Sequence, residues 1–131
     1  YKFHGDQNNP LADLARKCVV DTLTKILGVA VEQTATCDIL VNQMKIAGSS
    51  NFRNNTGVHD SLTVPMKYDP KAFEKYLAPV RDSKLVTAYG ITGVTNLKPE
   101  LTVDDFINEY TALFASEFEK LSGEPVTVVK Y

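Results

Sequence analysis

The sequence lacks several features that would each indicate a protein class at once. No apolar run approaches the roughly 18 residues that a membrane-spanning helix needs. The formal net charge is only -2, with basic and acidic residues interspersed, so we expect no nucleic-acid partner. Two cysteines in 131 residues are too few for a disulfide-dense miniprotein. Because there is no Cys-x-x-Cys pair and both histidines are distant from the cysteines in sequence, we expect no metal site and no cofactor.

The overall composition is that of an ordinary folded domain. Apolar residues make up 44% of the chain and charged residues 23%, which are values typical of globular proteins. The length fits one domain. We predict a flexible N-terminal arm over residues 1–8, which are polar and without periodicity, and a single α+β domain over residues 9–131.

Two long amphipathic helices are the clearest elements, over residues 9–27 and 102–122. Asn9-Pro10 and Gly28 are typical of the start and end of a helix, whereas Thr102 with Asp105 resembles a capping box and Gly123 ends the second helix. Each helix carries a continuous apolar stripe at three- and four-residue steps. The first stripe contains Leu11, Leu14, Ala15, Cys18, Val19, Leu23, Ile26 and Leu27, and the second Val103, Phe106, Ile107, Tyr110, Leu113, Phe114, Phe118 and Leu121.

The remaining periodic segments predict a sheet and one short helix, over residues 70–78. Residues 36–47 fit either a strand or a helix, and we favour a strand because Ile39 and Val41 are β-branched. Further strands are predicted near residues 29–32 and over residues 59–68, 84–95 and 125–131, with Pro65 placing its strand at an edge. Together these elements predict a four- or five-stranded, largely antiparallel sheet that is covered by the two long helices.

The segment 48–57 is the strongest loop signal, since it is bounded by glycines and filled with serine and asparagine. Phe52 and Arg53 are residue types enriched at binding hot spots, so we predict that the loop binds a partner. Asn54 begins an N-x-Thr sequon and would accept a glycan in a secreted protein. The predicted partner-binding residues are Asn51, Phe52, Arg53, Asn54 and Asn55.

The two cysteines leave two alternatives open. Cys18 lies on the apolar stripe of the first helix, where a free thiol behaves as a small hydrophobic group. A Cys18–Cys37 disulfide would instead close a loop of about 20 residues and stabilise the fold by roughly 3 kcal/mol. The chain begins at Tyr1 rather than methionine, from which we expect that upstream sequence has been removed, as in a secreted or particle-associated protein.

No group of residues in the sequence stands out as a catalytic site. His59, Asp60 and Ser61 have the residue types of a hydrolase triad, but neighbours on a strand project to opposite faces. The segment Gly90–Gly93 lacks the lysine and the spacing of a phosphate-binding loop, and is interpreted as a strand bulge.

These observations predict a non-catalytic binding or structural protein. It would be a small subunit of a larger assembly, viral or homo-oligomeric, that acts through the loop 48–57 and exposed strand edges and binds a protein partner or a second copy of itself. One alternative is a small enzyme with a site assembled around His59 and a distant carboxylate, with Asp38 and Cys37 as the first residues to consider. Another is a secreted carrier whose apolar ligand lies between the two helices, so that a small-molecule ligand is not excluded.

Overall fold

The computed structural model describes residues 10–54, 57–77 and 90–129. A four-stranded antiparallel path, in the order β1-β2-β3-β4, is extended by β5, which pairs with β3 in parallel. This architecture confirms the predicted α+β domain. The elements are α1 (Pro10–Leu27), β1 (Val31–Gln33), β2 (Ile39–Val41), β3 (Met44–Asn54), β4 (Gly57–Thr63), α2 (Pro70–Leu77), β5 (Gly90–Ile91), α3 (Val94–Leu97) and α4 (Val103–Ser122).

Both long helices have nearly the predicted limits, because their end signals are local. Gly28 adopts a left-handed φ of 70° after α1, and its N–H donates to the Thr24 carbonyl. At the start of α4, the Thr102 hydroxyl accepts from the Asp105 N–H, while the Asp105 carboxylate accepts from the Thr102 N–H. Gly123, at a φ of 71°, closes that helix.

The core lies between α1 and one face of the sheet. Cys18, Leu23, Ile39 and Ile46 are fully buried, and α4 completes the layer by packing Phe106 and Tyr110 against the core. The buried cluster consists of Val19, Leu23, Ile26, Ile39, Val41, Ile46, Ala47 and Val94.

The strand interpretation of residues 36–47 is confirmed, but the loop interpretation of residues 48–57 is wrong. The first segment contains β2 and the start of β3, joined by a tight turn in which Asn42 and Gln43 have φ values of 50° and 62°. From Gly48 to Asn54 the chain continues β3 and pairs with β4 in regular register. The error arose because the loop was predicted from polar composition, which indicates only contact with solvent. The backbone hydrogen bonds that make this segment a strand come from its pairing with β4. Asn55 lies outside the described residues.

Three further predictions need correction. β4 ends at Thr63, so the strand predicted over residues 59–68 is too long and Pro65 lies outside it, although β4 is the last strand of the described path, as an edge strand would be. Residues 94–97 form the helix α3 and not a strand, and the Val94 and Thr95 N–H groups at its start donate to the carbonyls of Pro65 and Met66. Residues 84–89, the first part of the predicted strand, lie outside the described residues. Residues 125–129 form no strand, since the Val126 N–H donates to the Glu119 side chain and folds the segment back on α4. The predicted arm over residues 1–8 also lies outside the described residues.

The cysteines form no disulfide in this structure. Both are free thiols, and Cys18 is completely buried on α1 whereas Cys37 is partly buried in the turn before β2. Burial raises the pKa of the Cys18 thiol. Cys18 therefore acts as a small core residue, as in the first of the two alternatives.

Candidate functional site

The two faces of the β3–β4 hairpin differ in chemistry. Residues paired across an antiparallel ladder project from the same face, and Gly48 pairs with Thr63 while Ser50 pairs with Ser61. Leu62, on the opposite face, packs against the core. The face turned away from α1 and α4 is called here the open face, and these two pairs give it small side chains next to the β2–β3 turn.

A lysine–aspartate pair lies at one end of the open face. The β2–β3 register shifts between Ile39 and Leu40: Ile39 pairs with Ala47, whereas Leu40 pairs with Lys45. This irregularity turns the Lys45 side chain to the open face, where its Nζ lies 2.6 Å from Asp38 Oδ1. Both side chains are largely buried, with 29% and 21% of their surfaces exposed. The pair is thus a cation and an anion held together in a partly dehydrated position.

Gly48 forms the surface beneath the Lys45 ammonium. A Cβ atom at Gly48 would lie 2.8 Å from Lys45 Cε and 3.0 Å from Nζ, both closer than carbon atoms normally pack. The absence of a side chain at Gly48 therefore allows the ammonium to lie directly against the sheet. A glycine inside a strand often marks such a close approach.

A second polar group lies further along the open face. His59 Nε2 and Ser61 Oγ are 2.8 Å apart, and both residues project from the same face because they alternate along β4. Asp60 lines the helix-face cavity, which His59 also borders, but the His59 ring lies with Ser61 on the open face, so the two side chains point apart as predicted. The residues proposed for an enzyme site are thus only partly brought together: Asp38 contacts Lys45, and His59 contacts Ser61.

The helix face contains an apolar cavity of about 510 Å³ between α1, β4 and α4. Asp60 is the carboxylate that lines it, and Asp60 Oδ2 accepts from Arg16 Nη1 at 3.4 Å. Arg16 is 7% exposed and also pairs with Asp13 at 2.6 Å. Burial, together with the nearby Cys18 and Asp60, raises the pKa of Tyr110 to about 12, so the phenol is neutral at physiological pH. The apolar residues lining the cavity are Leu11, Ala12, Ala15, Val19, Leu62, Val64, Phe106, Tyr110 and Phe114.

Sequence reasoning missed Lys45, although it considered Asp38. The available signal was a lysine between the apolar residues Met44 and Ile46, three positions before a glycine. Of the five residues predicted to bind a partner, Asn51 to Asn54 lie at the end of β3, and their partner-binding role stays a prediction, as does glycosylation of Asn54.

Neither a metal-binding cluster nor a membrane-spanning helix occurs in residues 10–54, 57–77 and 90–129. Within them, no three or more histidine, cysteine, aspartate or glutamate side chains converge as a metal site would require. No helix in the same ranges combines the length and apolarity needed to cross a membrane.

Comparison with known families assigns the chain to one family. A family model of the lipoyl protein ligase A/B catalytic domain matches residues 10–119, and the chain belongs to this family. No curated protein is significantly similar in sequence.

Solved structures share the fold at low sequence identity. P. falciparum LipL1, in complex with lipoate, superposes with a TM-score of 0.68 at 18% identity, over 94% of this chain and 34% of LipL1. A point mutant of the Aquifex aeolicus biotin protein ligase, in complex with biotin, gives 0.62 at 9% identity, over 87% of this chain and 44% of the ligase. The apo form of that ligase gives 0.62 at 8% identity, over 88% and 48%. The chain therefore spans about a third to a half of the proteins that it resembles.

The family assignment corrects the function predicted from the sequence. The prediction of a non-catalytic structural protein or assembly subunit is wrong, because the matched family is that of a ligase catalytic domain. The sequence argument failed because no motif of neighbouring residues indicated a catalytic domain and Lys45 was not considered. Lys45 and Asp38 meet only through the pairing of two strands.

Proposed function

We propose that the chain forms part of the active site of a lipoyl protein ligase, which transfers an activated lipoyl group to an amino group of a protein. The family match supports this class of reaction, and the fold similarity to LipL1, which was solved with lipoate, supports the class of ligand. The observation that carries the proposal is the Lys45 ammonium, which lies against Gly48 on the open face.

The chemistry of ligation gives this ammonium a role. A carboxylic acid reacts with an amine only after activation, and a mixed anhydride with a nucleotide phosphate provides a good leaving group. Such a donor carries a negative phosphate, and further negative charge develops on the carbonyl oxygen as the amine attacks. An ammonium has three N–H donors. In a partly dehydrated site these donors stabilise such charges far better than water does.

The shape of the open face fits an extended ligand. Gly48 pairs with Thr63 and Phe52 pairs with His59, so four residues separate the lysine end from the histidine end of the face. At about 3.3 Å per residue this is about 13 Å, which suits an acyl group joined to a nucleotide better than a single small anion. We propose that Lys45 binds the charged centre of the ligand and that His59 and Ser61 contact its polar far end.

Binding of a stable mimic tests the proposal. Lipoyl-sulfamoyl-adenosine, in which the reactive phosphate is replaced by a sulfamate, is titrated calorimetrically into the protein and into Lys45→Met. A hydrogen bond to a charged group contributes about 1.5–3 kcal/mol, so we expect Kd to rise by about 10- to 100-fold in the variant.

Lys17→Met is the matched control, because Lys17 is an exposed lysine of α1 that also pairs with an aspartate. It should change Kd by less than about twofold. Equal affinity of the wild-type protein and Lys45→Met would contradict the proposal. Tighter binding of the biotinyl analogue than of the lipoyl analogue would instead assign the site to biotin.

A further inference from the structure

We infer that Asp38 is a positioning residue that holds the Lys45 ammonium in its ligand-binding position; this inference rests on the proposed function. The Lys45 side chain has many rotamers of similar energy, and in only some of them does the ammonium lie against Gly48. The 2.6 Å contact with Asp38 Oδ1 selects those rotamers. Asp38 is also close to the same surface, since its Oδ1 would lie 3.8 Å from a Cβ at Gly48.

The backbone that carries Asp38 is itself held in place by the turn between β1 and β2. The Asp38 N–H donates to Thr34 Oγ1 at 3.1 Å, and the Thr34 N–H donates to the Asp38 carbonyl at 2.8 Å. The Cys37 N–H donates to the Thr34 carbonyl at 3.0 Å, which closes the turn. The carboxylate therefore projects from a backbone fixed by three hydrogen bonds, rather than from a free loop.

The Lys45 ammonium has enough hydrogen-bond donors for Asp38 to hold it in position while Lys45 itself binds the ligand. Lys45 has three N–H donors, and Asp38 accepts one of them. The other two then point in directions that the first bond determines, and they are available to ligand oxygens. Because Asp38 is an anion, it is a poor direct contact for an anionic ligand, and its effect on binding must pass through Lys45.

A double-mutant cycle tests this dependence. The Kd of lipoyl-sulfamoyl-adenosine is measured for the wild-type protein, Lys45→Met, Asp38→Asn and the double variant. With Asp38 present, we expect Lys45→Met to raise Kd by at least tenfold. In the Asp38→Asn background the same change should raise it by less than threefold, because an unpositioned lysine contributes little.

A spectroscopic measurement separates positioning from general stabilisation. In ¹H–¹⁵N spectra of the lysine ammonium groups, a hydrogen-bonded and partly buried Lys45 should give a protected signal, which Lys45→Met identifies by its loss. Asp38→Asn should remove this signal, while circular dichroism and the melting temperature show that the variant is folded. Thr34→Ala keeps the carboxylate but removes the side-chain hydrogen bond to the Asp38 N–H, one of the three that fix this backbone, and should weaken the signal. Asp21→Asn, which removes the exposed partner of Lys17, should leave it unchanged.

The two possible failures are distinguishable. If Lys45→Met has no effect on affinity when Asp38 is present, Lys45 does not bind the ligand and the proposed function is contradicted. If Lys45→Met weakens binding equally in both backgrounds, or if the protected signal survives in Asp38→Asn, Lys45 is used for binding but Asp38 does not position it. Loss of folding in Asp38→Asn, with a normal signal in folded Thr34→Ala, would also overturn the inference.

Discussion

Substitution of Gly48 by alanine separates the function of the open face from the stability of the fold. The new methyl carbon would lie 2.8 Å from Lys45 Cε and 3.0 Å from Nζ. Carbon atoms pack at about 3.5 Å or more, so the end of the lysine must move by about 0.7 Å. Such a movement lengthens the 2.6 Å contact with Asp38 and lifts the ammonium from the sheet.

The cost in stability should be small. The atoms that the methyl group displaces belong to the end of a flexible side chain, and alanine loses less backbone entropy on folding than glycine, by about 0.5–1 kcal/mol. We therefore expect the free energy of unfolding, measured with urea, to stay within about 1 kcal/mol of the wild-type value. Ligand binding should respond more strongly, because a charged hydrogen bond to the displaced ammonium contributes about 1.5–3 kcal/mol.

The assay compares three proteins by urea unfolding and by titration with lipoyl-sulfamoyl-adenosine. Gly48→Ala should bind at least about tenfold more weakly than the wild type, through loss of a charged hydrogen bond. Gly90→Ala is the control, because among the described residues a Cβ at Gly90 would meet only the Met44 side chain, at an ordinary 3.7 Å. Undiminished affinity in Gly48→Ala would refute the argument that the ammonium must lie against the sheet. A large loss of stability would show that the contact is structural.

Two further predictions concern the fold itself. Gly93→Ala should lower the free energy of unfolding in urea by about 1–3 kcal/mol, because its Cβ would lie 2.8 Å from the backbone atoms Met66 O and Tyr68 N. Unlike the end of a lysine side chain, these backbone atoms cannot move aside. A free energy of unfolding equal to that of the wild type would contradict this prediction. Hydrogen bonds from the Thr102 N–H and hydroxyl lower the pKa of Asp105, so its contribution to stability is present above the unfolded pKa of about 3.9 and is lost as pH falls through the lower folded value. The urea midpoint of the wild type should therefore exceed that of Asp105→Asn at pH 6, and this difference should shrink as pH falls below about 4; a difference independent of pH would argue against an ionised cap.

The parts of the fold that could be predicted from the sequence are those with local causes. The limits of α4 follow from Thr102, Asp105 and Gly123, which act within one turn of the helix ends. The strand interpretation of residues 36–47 succeeded because Ile39 and Val41 are β-branched. The segment 48–54 failed because serine and asparagine in a strand on an open polar face have the same composition as a loop, and only the pairing with β4 distinguishes the two.

The candidate site could not be predicted because it depends on register. Period-two alternation along β3 would place Lys45 and Ala47 on one face. Ala47, however, pairs with the buried Ile39, and Lys45 pairs with Leu40 from the opposite face. The intervening irregularity is set by how β2 and β3 meet, and no residue type in the sequence specifies it. Without it, the lysine would point to the helix layer, where an unpaired ammonium would be strongly destabilising.

The same irregularity explains why the glycine–serine segment follows the lysine directly. Once Lys45 is on the open face, any side chain at the next position of that face would occupy the space of the ammonium, as the calculated contact at Gly48 demonstrates. Small polar residues beyond it, such as Ser50 and its partner Ser61, keep that face shallow enough for a ligand to reach the cation. The helix face is free of this restriction and carries large apolar residues such as Leu62. What the composition indicated as a loop is therefore a strand, and under the proposed function its small side chains at Gly48 and Ser50 leave room for the ligand.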